Sequence, residues 1–237
     1  MKRFFHYALR ITICALLFVG CASAEEVVDD GGAAAAPKEI NHADSIYFTR
    51  PDFYNMTSSG DRVILTHYPT YQQKSDFSCG PACALTVLNY FGNKDYDEEI
   101  LRKAMNTKPH IGTSLSNMIN FFKGIGWEVQ SSLDAPPMQE NDFQKFVVKN
   151  LSEGKPIIVD NIEWGGHWRV IIGYDGMKTE NEFDDVLIFA DPFDTSDHNQ
   201  DGYAVGSLER FYSMWFARDL LPEAEHNQPW LVATPKR

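Results

Sequence analysis

The stretch Ser78-Cys79-Gly80-Pro81-Ala82-Cys83 opens an apolar segment that runs to Phe91 and is closed by Gly92. A proline close to the first turn and a glycine just past the last one are typical of helix termini, so the segment predicts a helix. Cys79 would lie where this helix begins. A cysteine nucleophile reacts as the thiolate, and the free N–H groups and dipole of a helix N-terminus stabilise such an anion. The stretch therefore predicts a helix that starts at a candidate nucleophile.

The chain around this helix alternates between two kinds of pattern. Four further helices are predicted from apolar periodicity and terminal residues, at 96–105, 114–123, 141–152 and 208–217. Strands are predicted where β-branched and aromatic residues form short runs between turns, at 127–130, 156–161, 168–174, 186–190 and 230–233. Extended arms and short strands are expected in 47–71. Helices first and an antiparallel meander second indicate the α+β class, with a helical N-terminal half packed on an antiparallel sheet.

Composition limits the kinds of partner. The chain has 237 residues, 43% of them hydrophobic and 23% charged, which suits one globular domain of ordinary size. Its formal net charge is −12. Nucleic acids and anionic lipids require a cationic surface, so neither is expected as the main partner.

The N-terminus has the features of an export signal. Basic residues precede an apolar run at Ile11–Gly20, which is too short to span a bilayer because a span needs about 20 residues. Ala22-Ser23-Ala24 is a small-x-small cleavage site. Residues 1–24 are therefore predicted to be a signal peptide, with the chain exported to a bacterial periplasm or secreted. A second interpretation is a lipoprotein, because residues 18–21 resemble a lipobox and would make Cys21 the lipid anchor.

Two regions follow the cleavage site. Residues 25–45 are acidic and contain Gly31-Gly32 and a run of alanines, a pattern that predicts a flexible tether. Residues 46–237 are predicted to form one domain, without an internal repeat. No transmembrane segment is expected in the chain after cleavage.

Three polar residues join Cys79 as candidates for a catalytic site. His167 enters a predicted strand after two glycines, and Asp191 leaves the next predicted strand just before Pro192. Adjacent strands would place the two side by side, so that Asp191 fixes the ring tautomer of His167. Gln73 precedes Cys79 by one short loop, from which its amide could donate to an oxyanion. Each feature alone is weak, but their combination predicts a Cys-His-Asp site.

These residues resemble a known family. Gln73, Ser78 to Cys83, Gly166-His167-Trp168 and Ala190-Asp191-Pro192 look like the motifs of the bacteriocin-processing double-glycine peptidases, and in particular of their stand-alone exported relatives. The resemblance covers roughly residues 68–216. It implies a papain-like cysteine peptidase fold, with Cys79 as nucleophile, His167 as general base, Asp191 as orienting acid and Gln73 in the oxyanion hole. It also implies that Cys83 is a packing residue.

The sequence departs from the transporter-linked members of that family, which carry membrane spans and an ATPase module. Its substrate therefore need not be a leader peptide that ends in Gly-Gly. The favoured function is an exported cysteine peptidase that cleaves a peptide or isopeptide bond. Two alternatives stay open: an acyltransferase of the transglutaminase or phytochelatin-synthase type, and a peptide-binding chaperone or assembly factor of an envelope system that uses the same cleft.

One loop resembles the first half of a calcium site. Asp197, Asn199 and Asp201 offer oxygen ligands at alternate positions, and the sixth position is Gly202. The twelfth position is Leu208, where a bidentate glutamate is expected. A structural calcium ion is one interpretation and an Asx-rich surface turn is the other. No pair of histidines has the spacing of zinc ligands, so neither zinc nor another required cofactor is predicted.

Overall fold

The computed structural model describes Gly32, Thr49, residues 51–195 and residues 199–236. Five helices are present in these residues: α1 Cys79–Tyr90, α2 Glu98–Ala104, α3 Leu115–Gly124, α4 Glu140–Ser152 and α5 Leu208–Ser213. Seven strands accompany them: β1 Arg62–Ile64, β2 Glu128–Ser131, β3 Ile157–Asn161, β4 His167–Asp175, β5 Val186–Ala190, β6 Tyr203–Ser207 and β7 Trp230–Thr234. The order confirms the predicted α+β class.

The strands form one antiparallel sheet in the order β2-β7-β3-β4-β5-β6, and β1 pairs with the far end of β4. The central strand β4 runs against β3 with His167 opposite Asn161, and against β5 with Val170 opposite Ala190. The first residues of β4 and the last residues of β5 therefore lie side by side, at the same end of the two strands. This register brings His167 and the residue that follows β5, Asp191, to neighbouring positions.

Helix α1 is the buried centre of the helical half. Every residue from Cys79 to Leu88 is buried, which is the pattern of a helix surrounded by protein rather than of one with a single apolar face. It packs against β4, and its fifth residue, Cys83, donates its thiol to the Trp168 carbonyl at 3.2 Å. This contact fixes the helix against the strand that begins at His167.

Three of the other helices, α2, α3 and α5, begin at side-chain caps. Asp97 accepts from the Ile100 amide at 2.8 Å, Ser114 from the Asn117 amide at 3.3 Å, and Ser207 from the Arg210 amide at 3.2 Å. Such caps satisfy N–H groups that have no partner inside the helix. Ser207 was the cap expected from the sequence.

One predicted helix boundary is wrong, and one strand was not predicted. The helix predicted to reach Ala217 ends at Ser213, because the chain turns there and buries Trp215, whose indole donates to the Pro229 carbonyl at 3.2 Å. Strand β6 was not predicted, since Gly202 and Gly206 bracket only three strand-forming residues. It nevertheless pairs with β5 along its whole length and forms one edge of the sheet.

Little of the N-terminal prediction falls within the described residues. Residues 1–24, including Cys21, lie outside them, as does the segment 25–45 except for Gly32. Gly32 is buried against the backbone of residues 73–75, where an added Cβ would clash with the Lys74 carbonyl carbon, so the position accepts glycine alone. Among the described residues, none of the helices combines the length and apolar character needed to cross a bilayer.

Candidate active site

Cys79 is the first residue of α1 and faces a cavity of about 270 Å³. The residue is 7% exposed and is one of those that line this cavity. Gly80 lets the helix start close to the neighbouring loop, because a Cβ there would lie 2.8 Å from the Thr113 side chain. The hydroxyl of Ser78 makes no cap on α1 and instead donates to the Ser75 carbonyl at 3.1 Å. The first N–H groups of the helix are therefore not capped by the Ser78 side chain.

His167 is buried between Cys79 and Asp191. Its Nε2 donates to Asp191 Oδ1 over 2.6 Å, and its ring also shares a hydrogen bond with the Cys79 side chain. Because Nε2 is engaged with Asp191, Nδ1 is the nitrogen on the side of the cysteine. The structure thus brings together three of the four residues that the sequence singled out, Cys79, His167 and Asp191.

Electrostatics favour the charged form of the imidazole. Burial lowers the pKa of His167, but the charge and hydrogen bond of Asp191, together with Cys79, outweigh burial and raise it to about 10. Burial raises the pKa of Asp191, because it disfavours the charged carboxylate, but the nearby charges of His167 and Arg169 bring this pKa below its ordinary value. The pair is therefore an imidazolium and a carboxylate at neutral pH, an arrangement that stabilises a thiolate on the other side of the ring.

The end of β5 holds Asp191 in place from several directions. Its Oδ1 also accepts from the Phe193 amide at 2.9 Å, and its own amide donates to the Gly202 carbonyl at 2.9 Å. The carbonyl of Pro192, next in the chain, accepts from the backbone N–H of Gln73 at 2.9 Å. These bonds join the Asp191 turn to the loop that precedes the cysteine.

Gln73 lies in that loop, but its side chain is not among those that line the cavity. It is only 1% exposed, and its Nε2 donates to the Ser75 carbonyl at 2.6 Å. An amide nitrogen carries two hydrogens, so one of them is engaged by this bond. Gln73 thus lies beside the Asp191 turn, and one of its two side-chain N–H groups is engaged by the Ser75 carbonyl within the same loop.

The predicted calcium loop is described only in part. Asp197 lies outside the described residues. Within the described part, Asp201 accepts from the Asn199 side-chain amide and from the Tyr203 amide. The calcium site stays a prediction, which melting temperatures measured with EDTA and with excess calcium would test.

Sequence reasoning missed three residues around the cysteine and histidine. Asp160 on β3 lines the cavity, and burial raises its pKa to about 7. Trp164, 60% exposed in the turn before β4, holds its ring 5.4 Å from the His167 ring. Arg169 lies 3.8 Å from Asp191 Oδ2. A signal for Arg169 was available, since alternation along a strand puts residues 167 and 169 on one face.

Comparison with known proteins adds to this geometry. Among curated proteins, none matches the chain significantly. The sequence profile of the Peptidase_C39 like family matches residues 65–218, well over half of the chain. The chain belongs to the Peptidase_C39 like family. This membership confirms the resemblance seen in the sequence, and it makes the chain a cysteine peptidase, a hydrolase of peptide bonds.

The chain is also similar to solved structures. The peptidase domain of Streptococcus ComA, a bifunctional ABC transporter, is similar with a TM-score of 0.50 and 22% identity, over 72% of this chain and 100% of that domain. A double glycine motif protease from an AMS/PCAT transporter, solved in complex with the leader peptide, is similar with a TM-score of 0.47 and 18% identity, over 71% of this chain and 91% of that one. The similarity to the ComA domain confirms the predicted papain-like peptidase fold.

Proposed function

We propose that this peptidase cleaves amide bonds of a peptide or protein substrate through Cys79, His167 and Asp191. The observation that carries the proposal is the 2.6 Å bond from His167 Nε2 to Asp191, with Cys79 on the other side of the same ring. A nucleophile, a base and a group that orients the base are the parts that covalent acyl transfer needs. Cys79 lines the cavity, and His167 and Asp191 follow it in one buried chain of contacts.

The proposed reaction runs in two steps. The Cys79 thiolate attacks the scissile carbonyl, and the His167 imidazolium gives its proton to the leaving amine, so that a thioester forms as the C–N bond breaks. Water then attacks the thioester while His167 takes up its proton, the C–S bond breaks, and the acid product leaves with the thiolate and imidazolium restored. Asp191 keeps Nδ1 of His167 directed at the sulfur throughout.

The oxyanion of each tetrahedral intermediate needs donors close to Cys79. We propose that the backbone N–H at the start of α1 is one donor and that the second N–H of the Gln73 amide is the other. The uncapped helix start and the place of Gln73 in the loop before the cysteine support this assignment. Removal of one such donor typically lowers turnover about 100- to 1000-fold.

Gln73→Ala is therefore expected to lower kcat about 100- to 1000-fold, while KM changes far less, because the contact matures only in the transition state. Gln72→Ala is the matched control: Gln72 is the preceding residue, half-buried, and its Nε2 donates to the Asp191 carbonyl at 3.3 Å. Its loss is expected to be mild. Steady-state kinetics of both variants on one peptide test this. Full activity in Gln73→Ala, or the larger defect in Gln72→Ala, would mean that the oxyanion donor lies elsewhere.

The experiment that tests the function is a mass-spectrometric substrate profile in water enriched in ¹⁸O. A peptide library is incubated with the enzyme and, in parallel, with enzyme alkylated by iodoacetamide. Hydrolysis adds one ¹⁸O atom to each new C-terminus, and the alkylated enzyme is expected to produce no new termini. New termini without ¹⁸O, but joined to an added amine, would show an acyltransferase. Absence of any difference between the two samples would contradict the proposed function.

We also propose export, which rests on residues 1–24 of the sequence alone. Cleavage after Ala24 predicts that the chain recovered from the periplasm or medium of an expressing bacterium starts at Glu25. A lipid-modified N-terminus at Cys21 would support the lipoprotein interpretation instead. Retention of the full-length chain in the cytoplasm would contradict both.

A further inference from the structure

Arg169 joins two acidic groups that the catalytic scheme leaves unconnected. Its Nη2 lies 2.8 Å from Glu163 Oε2, and its Nη1 lies 3.8 Å from Asp191 Oδ2. Asp191 Oδ1 is already occupied by His167 and by the Phe193 amide. The guanidinium therefore faces the one carboxylate oxygen of Asp191 that His167 leaves open.

The environment of Arg169 makes this contact a strong constraint. The residue is buried, and its guanidinium stacks over the Phe189 ring at 4.4 Å. A cation taken out of water is costly unless it is paired, so the two carboxylates neutralise a charge that has little access to solvent. A planar guanidinium has donors on separate nitrogens and reaches both acids at once, which a lysine ammonium does not do in the same geometry.

The other acid, Glu163, begins the turn that leads into β4. Trp164 follows it with a left-handed backbone, φ 54°, which a bulky residue rarely adopts. The Trp164 indole lies 5.2 Å from the Phe193 ring and 5.4 Å from the His167 ring, and it lines the cavity that contains Cys79. The pair of Arg169 and Glu163 thus anchors a turn whose conformation is strained and whose indole forms a wall of the cleft.

We propose that Arg169 is a positioning residue of this peptidase, which holds Asp191 against His167 and, through Glu163, holds Trp164 at the cleft. The proposal rests on the proposed function, since it acts through the roles given there to Asp191 and His167. It divides into two separable effects. The contact with Asp191 acts on turnover, because it fixes the acid that orients the base. The contact with Glu163 acts on substrate binding, because it fixes the cleft wall.

Arg169→Met is expected to lower kcat about 10- to 100-fold, the loss that a small misplacement of catalytic groups produces. The charged and titratable groups that face Asp191 are His167 and Arg169 of β4 and the Cys83 thiol of α1, and the Cys79 thiol interacts with His167. With Arg169 removed, the pKa of Asp191 rises, so the acidic limb of the kcat profile is expected to move to higher pH. Arg169→Lys keeps the charge and is expected to restore part of kcat and most of the profile.

Glu163→Gln separates the second effect. It leaves the charge beside Asp191 in place and loosens the Trp164 turn, so KM is expected to rise while the pH profile stays where it is. Arg62→Met is the matched control, because Arg62 pairs with Asp175 at 3.6 Å at the far end of β4. It is expected to change neither kcat nor the profile. If Arg169→Met moves kcat and the profile no more than Arg62→Met does, Arg169 has only a structural role and the proposal is wrong.

A measurement without turnover keeps this proposal separate from the proposed function. The proton on His167 Nε2, held in the bond to Asp191, is followed by NMR in full-length variants. It is expected to persist in the wild type and in Arg62→Met and to broaden or exchange faster in Arg169→Met. An unchanged resonance in Arg169→Met would overturn the proposal whatever the enzyme cleaves. A changed resonance in a protein that cleaves no peptide would overturn the proposed function and leave the positioning of Asp191 established.

Discussion

Replacing Cys79 with alanine is expected to abolish peptide cleavage. Loss of a nucleophile in a covalent mechanism lowers kcat by about 10⁶-fold, because no thioester can form and the base has no partner to activate. The substrate profile in ¹⁸O-enriched water should then match that of the alkylated enzyme. Cys79→Ala is expected to bind peptide still, because the other residues that line the cavity are unchanged.

Cys83 provides a control within the same helix. It is four residues further along α1, fully buried, and its thiol donates to the Trp168 carbonyl. Burial raises the pKa of the Cys83 thiol well above its usual range, so it is expected to react with iodoacetamide far more slowly than Cys79, which lines the cavity. Cys83→Ala is expected to lower stability by about 1–2 kcal/mol and to keep activity. Equal labelling of the two thiols in the folded protein, or cleavage by Cys79→Ala, would remove Cys79 as nucleophile.

The elements that carry the site were readable from the sequence because their signals are local. The start of α1 was predicted from a proline, a glycine and an apolar run, and the structure places it at Cys79. Strands β4 and β5 were predicted from short runs of β-branched residues. Antiparallel pairing of the two strands then predicted that His167 and Asp191, at their adjacent ends, lie side by side. A catalytic group at the end of a helix or strand is predictable because the end itself has a sequence pattern.

The supporting groups around the site were not readable in this way. The partners of Arg169 are Glu163, six residues earlier, and Asp191, which follows β5. The contact with Asp191 depends on the register of β4 against β5, and the contact with Glu163 depends on the conformation of the turn before β4. Likewise, Glu225 caps α3 from a distant part of the chain by accepting from the Leu115 amide at 2.7 Å. Periodicity assigns a residue to a face, but the partner across that face is set by register, which the sequence pattern does not encode.

Gln73 shows the intermediate case. Its distance along the chain from Cys79 predicted a position near the nucleophile. The loop does lie against the Asp191 turn, through the hydrogen bond from the backbone N–H of Gln73 to the Pro192 carbonyl. The direction of its side chain did not follow from that distance. It depends on the Ser75 carbonyl, which accepts from the Gln73 side chain and so competes with an oxyanion for the same amide group.

Replacing Asp191 with alanine is expected to have the second largest effect, a loss of about 10⁴-fold in kcat, the order found when the acid of a catalytic triad is removed. His167 would lose the bond that fixes its ring, together with the charge that raises its pKa. The imidazolium opposite the thiolate would then lose its proton at lower pH, so the basic limb of the kcat/KM profile is expected to move down. Activity measured from acid to alkaline pH on one peptide tests both the size and the direction.

Two further variants separate orientation from general damage. Asp191→Asn is expected to recover part of kcat, because an amide oxygen still accepts from Nε2 and keeps Nδ1 directed at Cys79, but it lacks the charge, so the basic limb should stay low. Asp185→Ala removes another buried acid, which accepts from the Tyr174 hydroxyl at 2.7 Å just before the opposite end of β5. It is expected to cost stability, about 1–3 kcal/mol, without a shift in the profile. If Asp191→Ala resembles Asp185→Ala in both respects, the carboxylate of Asp191 supports the fold alone, and the group that orients His167 has to be sought on another strand.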